Sequence, residues 1–130
     1  EEVKEGQATR RVRFRQLPRV LVLSLKRFAY GKGGARKVHK AISYEEKLAL
    51  NPAWLLDGAA PVEYWATAVV CHHGESTARG HYTAFVRYNA EWYSYDDTVV
   101  RRVEGKEVAA QQLSVYMLLY QSRTTIDMSP

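Results

Sequence analysis

The side chains of this sequence that could do chemistry are concentrated between residues 71 and 97. A run from Cys71 to His73 is followed by His81 and then by the acidic pair Asp96 and Asp97. An imidazole beside a carboxylate is an acid–base pair, because the carboxylate fixes the tautomer of the ring and stabilises its protonated form. A histidine near an aspartate is, however, usually an ordinary surface pair. Whether such a pair is functional therefore depends on the strands and turns that position the two side chains.

Two predicted hairpins bring His81 and Asp96 together. Residues 64–73 and 80–88 have the composition of strands and are joined by a polar loop. A short turn at 89–91 returns the chain along a further strand, 92–97. The end of that strand lies beside the beginning of the strand at His81, so we expect Asp96 to lie next to the imidazole.

The rest of the chain also favours short strands with short connections, which is typical of an antiparallel sheet. The glycines between 31 and 34 predict a flexible loop, and residues 45–50 are compatible with one helical turn or an extended segment. A short helix is predicted within 105–113. The other predicted strands are 11–15, 20–25, 37–44, 98–103 and 115–121. The predicted fold class is α+β and β-dominated, with an antiparallel sheet.

Composition excludes several classes of protein. The 130 residues are 46% apolar and 25% charged, which excludes a disordered chain, a collagen and a coiled coil and is typical of one domain. The net charge of +5 is a mild basic bias that requires no anionic partner. A single cysteine, Cys71, allows no internal disulfide and indicates an intracellular compartment, cytoplasmic or nuclear. The apolar runs are too short to cross a bilayer, so no membrane partner is expected.

Five segments resemble, in order, the motifs of the ubiquitin-specific proteases. They are LPRVLVLSLKRF at 17–28, YWATAVVCHHG at 64–74, GHYTAF at 80–85, WYSYDDTVV at 92–100 and VYMLLY at 115–120. Together they extend over roughly residues 8–121. That family consists of papain-like cysteine proteases that cleave ubiquitin from proteins. The part of its catalytic domain that this chain resembles is the palm, the second half.

The resemblance implies a role for each site residue. His81 corresponds to the general base, Asp96 to the residue that orients it, and Asp97 to a neighbouring acid that can assist. The loop from His73 to Gly80 is expected to shift when ubiquitin docks. The residues expected to line the channel for the ubiquitin tail are Phe28, His72, Gly80 and Tyr82. No cofactor and no metal are expected.

The sequence departs from the family pattern because it has neither the cysteine box nor the paired CxxC motifs of the fingers. Cys71 falls at a variable position of the palm motif and is expected to be a small residue packed on the sheet. Without a thiolate, a histidine and an aspartate form no covalent intermediate. We therefore expect the nucleophile in a missing or separate thumb half, as a companion chain or as the N-terminal half of a longer protein.

This interpretation gives the expected organisation of the chain and its partners. Residues 1–9 are predicted to be a flexible N-terminal segment, 10–123 the palm half of the catalytic domain, and 124–130 a tail. The charged start, which lacks a methionine, is not a signal peptide and suggests a piece of something longer. The expected partners are ubiquitin or a ubiquitinated protein, together with the polypeptide that carries the cysteine.

Alternative hypotheses stay open at this point. The first is a non-catalytic, ubiquitin-binding regulatory module. Binding of nucleic acid by the arginines at 10–15 is disfavoured because no stacking motif accompanies them. A zinc site formed by residues 71–73 and His81 is disfavoured because adjacent strand residues point to opposite faces of a sheet. Asp96 and Asp97 could also form a simple turn or a metal-binding pair.

Overall fold

The computed structural model describes residues 5–76 and 78–123. Within these residues the chain forms nine strands and one α-helix, α1 (Gly105–Ala109), and Pro52–Trp54 form a 3-10 turn. The strands are β1 (Val20–Ser24), β2 (Phe28–Gly31), β3 (Gly34–Lys37), β4 (Lys47–Ala49), β5 (Glu63–His73), β6 (His81–Tyr88), β7 (Glu91–Asp96), β8 (Val99–Val103) and β9 (Val115–Ser122).

Most of the strands form one antiparallel sheet in the order β1-β9-β5-β6-β7-β8, and β4 pairs with the first residues of β5. β2 and β3 form a separate two-stranded hairpin. The long β5 is central because it pairs with β9 along one edge and with β4 and β6 along the other. This arrangement confirms the predicted α+β, β-dominated fold class with an antiparallel sheet.

The core lies on one face of this sheet. Tyr64, Val69 and Cys71 of β5 are fully buried there, and Val108 of the short α1 packs against the same cluster. The buried tyrosine ring of β5 keeps its hydroxyl bonded, since Tyr64 Oη donates to the carbonyl oxygen of Pro18 at 2.5 Å. Burying this ring therefore leaves no unpaired hydroxyl.

The predicted strand at 37–44 is wrong, and the reason is a competing set of hydrogen bonds. β3 ends at Lys37, and the carbonyl oxygens of Val38 and Lys40 accept hydrogen bonds from the Arg27 guanidinium instead of pairing with a strand. The glycines at 31–34 form the tight end of the β2–β3 hairpin rather than a loose loop, with Gly34 at a φ of 95°.

Other boundaries also differ from the predictions. Residues 11–15 form no strand; Phe14 alone makes a parallel bridge, to Leu55. Of the two possibilities for 45–50, the extended one is correct, because β4 lies there. The helix predicted within 105–113 is present but ends at Ala109.

The predicted domain limits are only partly within the described residues. Residues 5–9 are exposed and belong to no helix or strand, whereas residues 1–4 and the predicted tail 124–130 lie outside the described part of the chain. The division at 9/10 and 123/124 stays a prediction.

Across the residues that the structure describes, no helix has the length and apolar character needed to cross a membrane.

The turn between β6 and β7 has a strained residue that a substitution should relieve. Asn89 and Ala90 have φ values of 48° and 64°, as a two-residue hairpin turn of type I′ requires. Asparagine tolerates this region, but the Cβ of alanine is crowded there at a cost of roughly 1–2 kcal/mol. We expect Ala90→Gly to raise the free energy of unfolding by about 0.5–1 kcal/mol in urea denaturation. Ala29→Gly, at an exposed strand position without positive φ, is the control and should lower it. A less stable Ala90→Gly variant would contradict this account of the turn.

Candidate active site

The two predicted hairpins bring His81 and Asp96 into direct contact. His81 opens β6, where it pairs with His73 of β5, and Asp96 closes β7. The Nε2 atom of His81 lies 2.5 Å from Oδ1 of Asp96. About half of each side chain is exposed, 47% for His81 and 57% for Asp96. The pair therefore lies at an open end of the sheet, where another molecule can reach it.

The hydrogen bond determines which nitrogen of His81 is free to react. Nε2 donates its proton to Asp96, so Nδ1 is the ring nitrogen left for a second proton transfer. The pKa of His81 is raised above its ordinary value, first by the hydrogen bond to Asp96 and then by the negative charges of Asp96 and Asp97. A neighbouring carboxylate thus makes this imidazole a stronger base.

Titration of His81 should reveal the partner that causes this shift. We expect Asp96→Asn to lower the pKa of His81 clearly in an NMR titration of the ring protons, because it removes the dominant hydrogen bond. The stabilisation from the pair is complete below the unfolded-state pKa and is lost as the pH rises through the raised folded-state pKa. Asp97→Asn is the matched control and should produce a smaller decrease. Equal titration of His81 in the wild type and in Asp96→Asn would refute this assignment of the cause.

Asp97 is a turn residue and also contributes negative charge near His81. Its φ of 49° lies in the left-handed region that aspartate tolerates better than most residues, at the connection from β7 to β8. Ligand-type atoms of His81, Asp96 and Asp97 lie within 4.8 Å of one another, and all three residues are exposed. Asp97 is therefore both a turn residue and an acidic neighbour of His81.

The alternative zinc site is not formed. Among the described residues, Cys71, His72, His73 and His81 do not constitute a cluster with metal-ligand spacing. Cys71 belongs to the core cluster, whereas the ring of His72 packs against Phe28 and Tyr82. The opposite orientations of adjacent strand residues explain the result, as the sequence predicted.

The predicted channel residues meet around the imidazole of His72. This ring is fully buried and lies with its centroid 5.4 Å from that of Phe28 and 4.9 Å from that of Tyr82. Tyr116 of β9 completes the group at 6.3 Å. We call His72, Phe28, Tyr82 and Tyr116 the His72 cluster.

Tyr116 is the member of the His72 cluster that sequence reasoning missed. Its pairing is irregular, because a register shift between Val70 and Cys71 leaves Tyr116 between the residues that pair with them, Met117 and Val115. A simple alternation of inward and outward residues does not predict the direction of such a side chain. Its place beside Val115 in the closing VYMLLY motif was the available signal.

The imidazole of His72 has unused hydrogen-bonding capacity. Neither Nδ1 nor Nε2 has a hydrogen-bond partner among the described residues, although both are buried. The pKa of His72 is lowered by burial first and then by the positive charges of Lys37 and His73. The ring is therefore neutral near pH 7, with one donor and one acceptor nitrogen.

Gly80 closes over this ring because it has no side chain. A Cβ atom built at Gly80 would lie 1.9 Å from Nε2 of His72. Gly74, at the other end of the loop, has a φ of 118°, and a Cβ there would lie 2.6 Å from the carbonyl oxygen of Arg79. The missing side chains thus allow Gly80 to lie directly over the His72 ring and Gly74 to lie close to Arg79.

Gly80→Ala should therefore disturb the site more than an ordinary loop substitution. The added methyl group must displace His72 or the loop, which typically costs about 1–3 kcal/mol. We expect that decrease in the free energy of unfolding, together with shifted NMR signals of Tyr82 and Phe28. Gly33→Ala is the control, because nothing lies within 4 Å of a Cβ at that position. Equal stability of the two variants would show that the loop does not pack on His72.

Cys71 is an inert core residue, as the sequence predicted. It is fully buried and pairs with Thr83 two positions along β6 from His81. Burial raises the pKa of its thiol, so the reactive thiolate is scarce at neutral pH. A thiol in this environment is a poor nucleophile.

The buried side chain of Arg27 connects the segments that surround the His72 cluster. Arg27 is only 2% exposed, and its guanidinium donates to the carbonyl oxygens of Val115 at 2.8 Å and Gln112 at 2.8 Å, besides those of Val38 and Lys40. The nearby Lys37 Nζ donates to the carbonyl oxygen of His72 at 2.8 Å. These bonds join the chain after β1, the segment after β3 and the start of β9 into one support for the His72 cluster.

This fold is that of the palm of a papain-like cysteine protease domain. The palm is an antiparallel sheet that has an exposed histidine–aspartate pair at its end and a buried aromatic cluster beside that pair. Residues 2–120 match the family model described as ubiquitin carboxyl-terminal hydrolase. The chain belongs to this ubiquitin carboxyl-terminal hydrolase family, as the sequence motifs predicted, and it corresponds to the C-terminal half of a ubiquitin-specific protease domain.

Individual relatives agree with this assignment. The probable ubiquitin carboxyl-terminal hydrolase 3 of Schizosaccharomyces pombe is 38% identical over 115 residues, which cover 82% of this chain and 22% of the relative. Ubiquitin hydrolase B of Dictyostelium discoideum is 34% identical over 83% of this chain and 24% of its own length.

Solved structures give the same fold. A chain of the SAGA Ubp8/Sgf11/Sus1/Sgf73 DUB module bound to ubiquitin aldehyde superimposes with a TM-score of 0.73 and 30% identity, over 83% of this chain and 25% of that one. A chain of the yeast SAGA DUB module with an Sgf73 variant also gives a TM-score of 0.73, at 31% identity. The present chain thus spans about a quarter of the length of these two relatives and of these two structures.

Proposed function

We propose that this chain supplies the general base and its orienting acid for the thiol-dependent hydrolysis of the isopeptide bond at the C-terminal glycine of ubiquitin. The observation that supports this role best is the 2.5 Å hydrogen bond between His81 Nε2 and Asp96 Oδ1, at an accessible end of the sheet. Membership of the ubiquitin carboxyl-terminal hydrolase family supplies the reaction class.

In the proposed mechanism, Nδ1 of His81 accepts the proton of a cysteine thiol that is supplied from outside these 130 residues. The thiolate attacks the carbonyl carbon of the last glycine of ubiquitin, and the imidazolium then protonates the leaving lysine amine. Water, deprotonated by the same imidazole, hydrolyses the thioester and releases ubiquitin. Asp96 holds Nε2 throughout, so the ring keeps one tautomer and one orientation. The reaction requires no cofactor.

The His72 cluster is the proposed channel for the ubiquitin tail. Its neutral imidazole has one donor and one acceptor nitrogen, which match the C=O and N–H groups of an extended peptide. In the structure described here Gly80 covers the ring, so the tail requires the loop from His73 to Gly80 to move aside. The glycines at its ends make that movement possible without a side chain to displace.

A covalent probe tests where the nucleophile lies. We expect this chain to gain no mass when it is mixed with ubiquitin that carries a thiol-reactive electrophile at its C-terminus, because Cys71 is buried. Within a longer protein or complex that contains this chain, the adduct should form on a different cysteine, and Cys71→Ser should leave labelling unchanged. Labelling of Cys71 in the folded chain would overturn the proposed division of the triad.

A non-catalytic ubiquitin-binding module is the second candidate, and the burial of the only cysteine favours it for the chain in isolation. Calorimetric titration with ubiquitin, which measures affinity, distinguishes the two functions when it is combined with an assay of turnover. Affinity without turnover, in the longest natural form of the protein, would favour the binding module, whereas turnover that depends on His81 favours the enzyme.

A further inference from the structure

A cavity lies away from the His81–Asp96 pair, between α1 and the sheet. Its volume is about 120 Å³, and we call it the α1 cavity. Ala66 and Val69 of β5, Trp92 of β7 and Val108 of α1 line it. Trp92 precedes Asp96 by four residues on the same strand, a distance of about 13 Å along the strand. The α1 cavity is therefore separate from the proposed reaction centre.

The inner wall of this cavity is apolar. Ala66, Val69 and Val108 are at most 4% exposed, and Trp92 provides one aromatic wall. The polar groups beside them are already bonded: Tyr44 Oη donates to the carbonyl oxygen of Val108, and Ala66 N–H donates to that of Glu46 at 2.7 Å. An apolar cavity of about 150 Å³ stays dry and takes up benzene, so this smaller cavity holds one ring at most.

The mouth of the cavity is acidic. Glu45 and Glu46 both line it and are exposed. Glu46 is bound to Arg87. Glu45 accepts a hydrogen bond from Tyr120 through its backbone carbonyl, and among the described residues its carboxylate, unlike that of Glu46, forms no ion pair, so its negative charge is available to a cation.

We propose that the α1 cavity is a binding site for a small aryl-alkyl amine, with a single ring between Ala66 and Val108 against Trp92 and an ammonium group at Glu45. The apolar wall selects the ring, the volume limits it to one ring, and the acidic mouth selects the positive charge. This site is independent of the proposed hydrolase function.

Phenethylamine and its neutral counterpart 2-phenylethanol are the probes. In NMR titrations of the full chain, we expect phenethylamine to shift the Trp92 indole and the methyl groups of Val69 and Val108 saturably, with the Trp65 indole as an internal control. Glu45→Gln should weaken the amine about threefold, the size of an exposed ion pair, and leave the alcohol unchanged. Absence of a saturable shift at Trp92, or equal binding of both probes to the wild type, would overturn the proposal.

Filling the cavity provides the second test. Ala66→Leu should abolish the shifts, and Ala109→Leu, on the exposed side of the cavity, should do the same if the interior variant fails to fold. Leu56→Ala, an exposed position outside the cavity, is the matched control and should retain binding. Undiminished binding to a folded Ala109→Leu protein would place the probe elsewhere and would contradict the proposed site.

Discussion

Replacement of His81 by alanine is expected to reduce kcat/KM for the proposed ubiquitin cleavage by about 10³-fold in a longer protein or complex that contains this chain, since a positioned general base typically contributes about 10²–10⁴. The loss should fall on kcat, because His81 acts on the proton of the nucleophile rather than on the His72 cluster. A fluorogenic ubiquitin substrate measures it. Because the side chain is about half exposed, the folding stability should change little.

Asp96→Asn should lower kcat by about 10²-fold, a smaller loss than that of His81→Ala, because it impairs the orientation of the base without removing the base. The pH profile separates this effect from a structural one: with its pKa lowered, His81 loses its proton at lower pH, and the acidic limb of the profile moves down with it. Asp97→Asn, with a weaker influence on the ring, is the control. Normal turnover by His81→Ala or by Asp96→Asn would exclude the proposed pair from catalysis.

Arg27→Met is expected to be the most destabilising single substitution considered for this chain. Arg27 is 2% exposed, and its guanidinium donates to four carbonyl oxygens from two separate segments, the one after β3 and the one at the start of β9. Methionine fills much of the volume but bonds none of them, and each buried carbonyl left unpaired costs about 1–3 kcal/mol. We expect a loss of at least about 3 kcal/mol in urea denaturation, a large part of the stability of a typical domain.

Lys26→Met is the matched control for Arg27→Met, because the neighbouring lysine is exposed and should be replaceable with little effect. Arg27→Lys should recover only part of the stability, since one ammonium group cannot reach all the carbonyls that the planar guanidinium reaches. If Arg27→Met and Lys26→Met were equally stable, the hydrogen-bond network would not be the support that we describe.

The substitutions His81→Ala and Arg27→Met distinguish a loss of activity from a loss of folding stability. His81 lies at an open end of the sheet and makes one strong hydrogen bond, so its loss should be measured in turnover. Arg27 is buried and touches no substrate, so its replacement should lower the free energy of unfolding. A variant of Arg27 that folds at low temperature should therefore retain His81 titration.

The sequence by itself determined the central part of this fold. Strand composition and short turns located β5, β6, β7 and β9 to within about two residues, and the two hairpins among them were enough to predict the contact of His81 with Asp96. The burial of Cys71 was predicted as well, because a free cysteine usually packs as a small apolar residue. These features are local: they depend on strand period, turn residues and the pairing of consecutive strands.

Only the tertiary structure decided the features that join remote segments. Arg27 bonds to residues 11 to 88 positions away, which explains why the strand predicted at 37–44 does not form. Tyr116 reaches His72 through a shift in strand register, and the α1 cavity forms where β5, β7, α1 and the segment at 44–46 meet. A periodic pattern records how each residue relates to its own element, whereas these contacts depend on how folded elements meet, which no local period contains.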